Sequence, residues 1–429
     1  MNPIRLTEIA YSSEWFLAKL YPALKHDEIK DLFQLVSVGG RQKDVQSVLE
    51  RIAEIKKLKE KEKAEESNYA KRNNSAETQS LDSIETRLRE NTLDYFPFES
   101  HGEEVVLPTK MFENSDAIYI CTTNVTHPGT ISEAIKAKKP ILCEKPVCIV
   151  LGKDGIADNN QLSRLENIAQ TLYSDAIIID AEHYSYKPSS MNFYRNIEKI
   201  LNGREVVEIR GEIIEHDSPA KDRVVKLLSQ ESRTGLLTDT GVHLLSFASN
   251  LGYRATPIKA EHGMFHGKCQ ESDKEIRYNT ETATKATYEL NADTETPNRY
   301  IRNGTMFYLT VEKFGQYSGM TKSKKLNLNL SDGSTLTINF DDKNGNLSET
   351  RDSPDGLVGT IITHPLTPGI NSSEYVNILK EFERTIRNPN QRALTDFKNS
   401  LRTMKAIYET YIKAPIIDQN NITLKYGNN

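Results

Sequence analysis

Residues 116–146 read DAIYICTTNVTHPGTISEAIKAKKPILCEKP, and no other stretch constrains the fold as tightly. DAIYICTT (116–123) and PILCEKP (140–146) are short, near-continuous apolar runs without the polar alternation of a half-exposed strand. Runs of this kind are strands covered on both faces, the condition of a parallel sheet. HPGTISEAIKAKK between them has helical spacing, and strand, helix, strand within about thirty residues is a βαβ unit. Proline does not continue a central strand, so the chain leaves the sheet at Glu144-Lys145-Pro146. In open α/β sheets, ligands sit beyond the carboxyl ends of the strands. Lys145 at such an exit, beside Glu144, suits the orientation of a substrate hydroxyl or the stabilisation of alkoxide charge.

FQLVSV (33–38), DAIIID (175–180) and the amphipathic NQLSRLENIAQTL (160–172) extend the alternation. They predict a Rossmann-like, doubly wound parallel sheet over residues 1–186. Within it, IKKLKEKEKAEESNYAKRNNSAETQS has almost no apolar periodicity. The stretch 55–95 therefore reads as a charged insertion, a solvated helix fraying into a loop. After residue 200 the texture changes. REVVEIRGEIIEH, TKATYELNA, TMFYLTVEKF, KKLNLNLSD and STLTINFDD alternate at period two, and the Asp-Gly of LSDGST marks a hairpin. TGVHLLSFASNLG, SSEYVNILKEFERTI and DFKNSLRTMKAIYETYIK are helical. Residues 187–429 are thus expected to form an α+β domain with an open, largely antiparallel sheet. Two domains also suit a chain of 429 residues. TMFYLTV is apolar on both alternations, which predicts a homodimer or homotetramer through the sheet's uncovered face.

A net charge of −5 removes the electrostatic case for nucleic acid. No apolar run approaches the roughly 20 residues of a membrane span. The opening MNPIRLTEIAYSSEW lacks the layout of a signal peptide, so a cytoplasmic protein is expected. Cys121, Cys143, Cys148 and Cys269 show no paired CxxC spacing; they are expected to be reduced thiols, mostly buried, and no metal site is expected.

The 116–146 stretch resembles, at Asp116, Thr122, Asn124, His127, Ala137, Glu144, Lys145 and Pro146, the central segment of the glucose–fructose oxidoreductase and inositol dehydrogenase family. Thr123 stands where proline is common. The resemblance implies that the Thr122–His127 loop lies under a nicotinamide dinucleotide, with Glu144 nearby, and that Lys145 faces the substrate. Thr234-Gly235-Leu236-Leu237-Thr238-Asp239-Thr240-Gly241-Val242-His243 resembles the family's Gly-Gly-x-Leu-x-Asp-x-Gly-x-His. It implies a His243 proton acceptor, and the four-residue spacing would put Asp239 on the same helical face to orient it. Lys145, Asp239 and His243 are then expected to converge on one pocket. The family's later Asp, three residues after His, is Ser246 here. EYVNILKEFERTI and LTDFKNSLRTMKAIYETYIKAPI resemble the family's closing helices. A further likeness joins Lys19-Leu20-Tyr21-Pro22-Ala23-Leu24 and His183-Tyr184-Ser185-Tyr186-Lys187 to glucose-6-phosphate dehydrogenases, with Glu182 where those carry Asp. It implies a substrate phosphate held by His183, Tyr184 and Lys187.

A dinucleotide normally needs a glycine-rich turn after the first strand. Ile9-Ala10-Tyr11-Ser12-Ser13-Glu14-Trp15 has no glycine, leaving Ser12 and Ser13 to offer hydroxyls and amides. Gly39-Gly40-Arg41-Gln42-Lys43 ends the second strand, where Arg41 suits the 2′-phosphate of NADP, with NAD as the alternative. The sequence thus predicts an NAD(P)-dependent oxidoreductase acting on a small sugar, polyol or sugar phosphate, glucose 6-phosphate among them. Against it stands a non-catalytic sugar- or nucleotide-binding or scaffold protein that has lost the cofactor turn.

Overall fold

The computed structural model describes residues 2–416 except 11, 12, 14, 63–67, 153, 172–175, 221, 229–232, 269–274, 279, 294–298 and 352–359. The chain forms two compact units. The first comprises Met1–Val147, Gln170–Ala181 and Tyr375–Asp396, and the second Cys148–Ala169, Glu182–Glu374 and Phe397–Asn429. The division is therefore interleaved rather than a single cut near residue 186, because the chain returns twice to the first unit.

In the first unit, β1 (Ile4–Ile9), β2 (Phe33–Gly40), β3 (Asp94–Pro97), β4 (Ala117–Ile120), β5 (Ile141–Cys143) and β6 (Ile178–Asp180) make one sheet in the order 3-2-1-4-5-6. Every pairing is parallel. All four residues of β4 are fully buried, as its unbroken apolar run requires. The strand order reverses between β1 and β4, the switch point at which such sheets open a crevice. After a π-turn over Phe16–Leu20 come α1 (Tyr21–Leu24), α2 (Val45–Glu62) and α3 (Asn68–Arg89), and later α4 (His127–Lys136). The expected loop in the 55–95 insertion is corrected by α3. Its Leu81, Ile84 and Leu88 are buried, Ser80 Oγ donates to the Leu17 carbonyl at 2.8 Å, and Arg87 donates to that of Leu35 at 2.6 Å. The helix Glu374–Arg387 joins this unit by stacking Phe382 on Phe33, 6.1 Å apart.

In the second unit, β7 (Val206–Ile214), β8 (Tyr253–Gly263), β9 (Ala283–Ala292), β10 (Ile301–Glu312), β11 (Ser323–Leu330), β12 (Thr335–Asn339), β13 (Leu347–Arg351) and β14 (Thr360–His364) form a sheet in the order 8-9-10-7-11-12-13-14. Only the β7–β10 pairing is parallel among them. The periodicity did not reveal β8, whose Pro257 sits at an irregularity on an edge strand, where proline is tolerated. α5 (Pro188–Leu201), α6 (Val242–Asn250) and α7 (Phe397–Lys413) pack on the sheet. Gly211 admits α6: a methyl there would lie 3.1 Å from Leu244 and 2.9 Å from Leu326. The outward face is more polar than TMFYLTV implied. Met306, Tyr308 and Thr310 alternate strictly with buried Phe307, Leu309 and Val311. Across it Thr337 bonds Asn327, and Asn329 bonds Glu208.

Among the described residues, no helix is long and apolar enough to cross a membrane. Cys121, Cys143 and Cys148 are buried; Cys269 lies outside the described residues.

Candidate active site

The first unit presents the expected cofactor residues at the carboxyl ends of its strands. Ala10, directly after β1, has a φ of 90°, in the left-handed region that glycine occupies freely. Holding alanine there costs roughly 1–3 kcal/mol, so the turn keeps a glycine-like backbone without the glycine. Ser13 N–H donates to the Ala10 carbonyl at 2.8 Å, and Ser13 Oγ lies 2.8 Å from Cys121 Sγ. Ser12 lies outside the described residues. Arg41 is exposed just past β2; the Gln42 carbonyl beside it accepts the Tyr95 hydroxyl at 2.8 Å. A strained turn at β1 and an exposed cation past β2 fit a dinucleotide. Glu8, one residue before the end of β1, is fully buried, and neither carboxyl oxygen has a hydrogen-bond partner among the described residues. Burial pushes its pKa well above the ordinary range, so the neutral form, which does not repel phosphate, is favoured.

His127 is buried between two carbonyls, Nδ1 at 2.7 Å from Pro146 O and Nε2 at 3.1 Å from Thr122 O. It ties the Thr122 loop to Glu144-Lys145-Pro146 and so shapes the loop, while Thr122 and Asn124 are half-exposed on it. Burial lowers the His127 pKa. Glu144 is also buried; burial raises it to about 7, although the Tyr119 hydroxyl at 2.5 Å and that of Tyr375 at 2.8 Å favour the carboxylate. Lys145 is half-buried.

In the second unit a dyad forms that sequence spacing did not indicate. His243, in the first turn of α6, places Nδ1 in a hydrogen bond with Glu182 Oε1. Oε1 also accepts the Tyr184 N–H at 3.1 Å, while Oε2 takes the Ser246 hydroxyl at 3.0 Å and that of Ser185 at 3.4 Å. The carboxylate on His243 Nδ1 is therefore Glu182. Asp239, expected in that role, sits in the π-turn Leu237–Gly241, receives the Thr240 hydroxyl at 3.2 Å and helps to raise the Lys313 pKa. With Nδ1–H on a carboxylate, Nε2 carries the lone pair that accepts a proton. The Tyr184 ring stacks on His243 with centroids 4.1 Å apart, and His183 meets it edge-on at 4.7 Å.

Cations surround that stack. Lys187 Nζ lies 4.5 Å over the Tyr184 ring and donates to the Phe340 carbonyl at 3.0 Å. Burial lowers its pKa. Lys324 Nζ is 6.0 Å from the same ring and 2.6 Å from Glu215, which also holds Lys313 at 2.5 Å. Burial disfavours the Lys324 charge, but Tyr184 and Glu215 outweigh it and raise its pKa. Sequence reasoning missed Glu182 as the His partner, and missed Lys324 and Glu215 entirely. For Glu182 the available signal was its place directly before His183.

Glu182, His183 and His243 also bring three ligand-type atoms within 4.8 Å of one another. Zinc accepts such a donor set. An ion would have to displace the proton between His243 and Glu182, whose two oxygens already receive four donors. The geometry favours the dyad.

Residues 50–172 match the model of an oxidoreductase family with an NAD-binding Rossmann fold, a span that includes the βαβ stretch and Glu144-Lys145-Pro146. The matched segment lies mostly in the first unit, and the fold is a Rossmann-like parallel sheet followed by an open, mostly antiparallel one. The match agrees, over that segment, with the resemblance to the glucose–fructose oxidoreductase and inositol dehydrogenase family. No curated protein matches the chain. Among solved structures, the inositol dehydrogenase homolog complexed with NAD+ from Azotobacter vinelandii is similar at 13% identity, with 98% of this chain and 96% of that one covered and a TM-score of 0.64. A UDP-N-acetylglucosamine 3-dehydrogenase from Acidithiobacillus ferrooxidans is 13% identical, with 97% and 99% covered and a TM-score of 0.60. A 3-ketoreductase from Actinomadura kijaniata, in complex with NADP and TDP-benzene, is 14% identical, with 95% and 96% covered and a TM-score of 0.57. At these identities the likenesses establish the fold. The likeness to glucose-6-phosphate dehydrogenases finds no support among them.

Proposed function

We propose that the chain is an NADP-preferring dehydrogenase or reductase acting on a sugar, polyol or sugar phosphate, with His243 as its proton acceptor and donor. The Glu182–His243 dyad is the observation that carries this reading. A nicotinamide, when bound, exchanges a hydride with a carbinol carbon. His243 Nε2 takes the hydroxyl proton in the oxidative direction, Glu182 stabilises the imidazolium that forms, and Lys145 orients the reacting oxygen. Ser13, Thr122, Asn124 and Arg41 would hold the dinucleotide, and Gln42 would flank Arg41. Lys187, Tyr184 and His183, with Lys324, give the site a cationic rim suited to a phosphate, so glucose 6-phosphate is one candidate. The structural relatives, among them a UDP-N-acetylglucosamine 3-dehydrogenase and an inositol dehydrogenase homolog, agree with the substrate class.

A panel of sugars and sugar phosphates, assayed with NADP(H) and NAD(H), tests the reading. His243→Ala and Lys145→Ala should each lower turnover by roughly two to four powers of ten with dinucleotide affinity retained. A double-mutant cycle should show that Lys145 and His243 act on one reacting centre. Lys187→Ala should weaken a phosphorylated substrate and spare an unphosphorylated one. Turnover unaffected by His243→Ala would overturn the assignment. One observation favours a non-catalytic binding protein: alanine replaces glycine at the β1 turn. Absence of NADPH- or NADH-dependent quenching of Trp15, which precedes the π-turn after β1, would promote that second reading.

A further inference from the structure

Beneath the segment that carries His243 lies a buried carboxyl for which the proposed chemistry has no use. Glu281, two residues before β9, has no exposed surface. Its Oε1 accepts the Leu237 N–H at 3.1 Å and the hydroxyl of Tyr411, from α7. Its backbone carbonyl accepts the Leu236 N–H at 3.3 Å, and the Tyr411 hydroxyl meets Thr238 Oγ1, also at 3.3 Å. Three consecutive residues of one turn are thus fastened to Glu281 and Tyr411. Gly235 makes the approach feasible: a methyl at that position would fall 2.1 and 2.2 Å from the two carboxyl oxygens. Tyr411 is itself braced by His262, whose ring stacks on it at 5.5 Å.

The fastened turn is the π-turn Leu237–Gly241, which runs directly into α6 and His243. A π-turn is rarely stable by itself, and the first amides of any helical turn need acceptors from outside. We propose that Glu281 is a positioning residue: held by Tyr411 and admitted by Gly235, it fixes the π-turn that sets His243 against Glu182. The consequence for turnover rests on the reading of His243 as the proton acceptor; the placement of His243 does not.

The test therefore uses the full chain without substrate or cofactor. Hydrogen exchange is followed across residues 235–246, and the His243 imidazole by nitrogen-15 NMR. Glu281→Ala should speed exchange of the amides from 236 to 243 by about tenfold or more, relative to the first unit's core. It should also move the His243 Nδ1–H signal. Glu281→Gln keeps an acceptor for the Leu237 N–H and should restore both. Burial holds Glu281 at about 7, so near neutrality a neutral side chain of the same shape is a close mimic. Gly235→Ala leaves the carboxyl in the chain but pushes it from the turn, and should reproduce the Glu281→Ala signature. If Glu281→Ala does not fold, Gly235→Ala and Tyr411→Phe give the same readouts. Parent-like exchange and imidazole signals in the folded Ala variants would overturn the proposal, as would a Gln variant no better than Ala. If the signatures move as expected while no sugar is turned over, the proposed function fails and the positioning role stands.

Discussion

Glu182→Gln isolates the dyad from the rest of the site. In the parent, the Glu182 carboxylate receives His243 Nδ1–H and the Tyr184 N–H on one oxygen and two serine hydroxyls on the other. Glutamine keeps the shape but brings one oxygen and one NH2 group to those four donors. If the amide oxygen stays on the Tyr184 side, the NH2 faces the serine hydroxyls, which are able to turn and accept. The His243 bond then loses its charge assistance, on the order of 1.5–3 kcal/mol, or about 10- to 150-fold in turnover. If the amide turns the other way, its NH2 meets His243 and makes Nδ1 the acceptor. The proton then moves to Nε2, no lone pair faces the substrate, and the loss approaches four powers of ten. Nitrogen-15 spectra of His243 separate the two outcomes, since the protonated nitrogen changes only in the second. Turnover with the best sugar of the panel should fall by at least tenfold, and Glu182→Asp should recover only part of it, because the shorter side chain withdraws the carboxylate from Nδ1. Parent-like turnover and an unchanged His243 spectrum in Glu182→Gln would refute the dyad as the proton-handling unit.

Three further outcomes are expected. Arg41→Ala should abolish most of the preference for NADPH over NADH, a loss of about 1.5–3 kcal/mol measured by Trp15 quenching; equal affinities in the parent would remove NADP as the favoured cofactor. Glu349, bonded by Arg204 at 2.6 and 3.1 Å, is lowered from 4.5 to about 2, so its contribution is complete above the ordinary carboxylate range and disappears as pH falls from about 5 to 2. The difference is worth about 3 kcal/mol, and urea melts of the parent should show that loss while Glu349→Leu shows a flatter pH dependence over the same window. Light scattering at micromolar concentration should give a homodimer or homotetramer; a monomer would count against self-association through the open sheet face.

What the sequence disclosed follows the range of the interactions involved. β4 and β5 were legible because double-sided burial writes itself into consecutive residues. The sheet of the second unit was legible wherever one face was dry and the other wet. β8 escaped because Pro257 breaks the alternation at an edge that accommodates it. α3 escaped because its buried apolar residues Leu81, Ile84 and Leu88 follow a long polar stretch of sequence. The site residues were harder for a different reason. His243 and Lys145 stood out through motif resemblance, but the partner of His243 is 61 residues away and the acceptor for Leu237 is 44 away. No local period reports such meetings.

One departure from the family motif changes meaning once those meetings are known. Read along the chain, Ser246 in place of the family's Asp weakens the substrate pattern. In the fold, Ser246 Oγ donates to Glu182 Oε2 at 3.0 Å while its neighbour Oε1 holds His243. A carboxylate at 246 would face that oxygen at a similar distance, in a site almost without solvent, and two like charges so placed cannot both stay ionised. One would take up a proton, and the imidazolium formed on His243 would lose the charge that stabilises it. A hydroxyl at 246 instead brings no second charge and can donate to Glu182 Oε2 or to the His243 carbonyl, each at 3.0 Å. On the proposed reading of His243 as the proton acceptor, a serine at 246 suits the Glu182–His243 dyad better than the family's Asp.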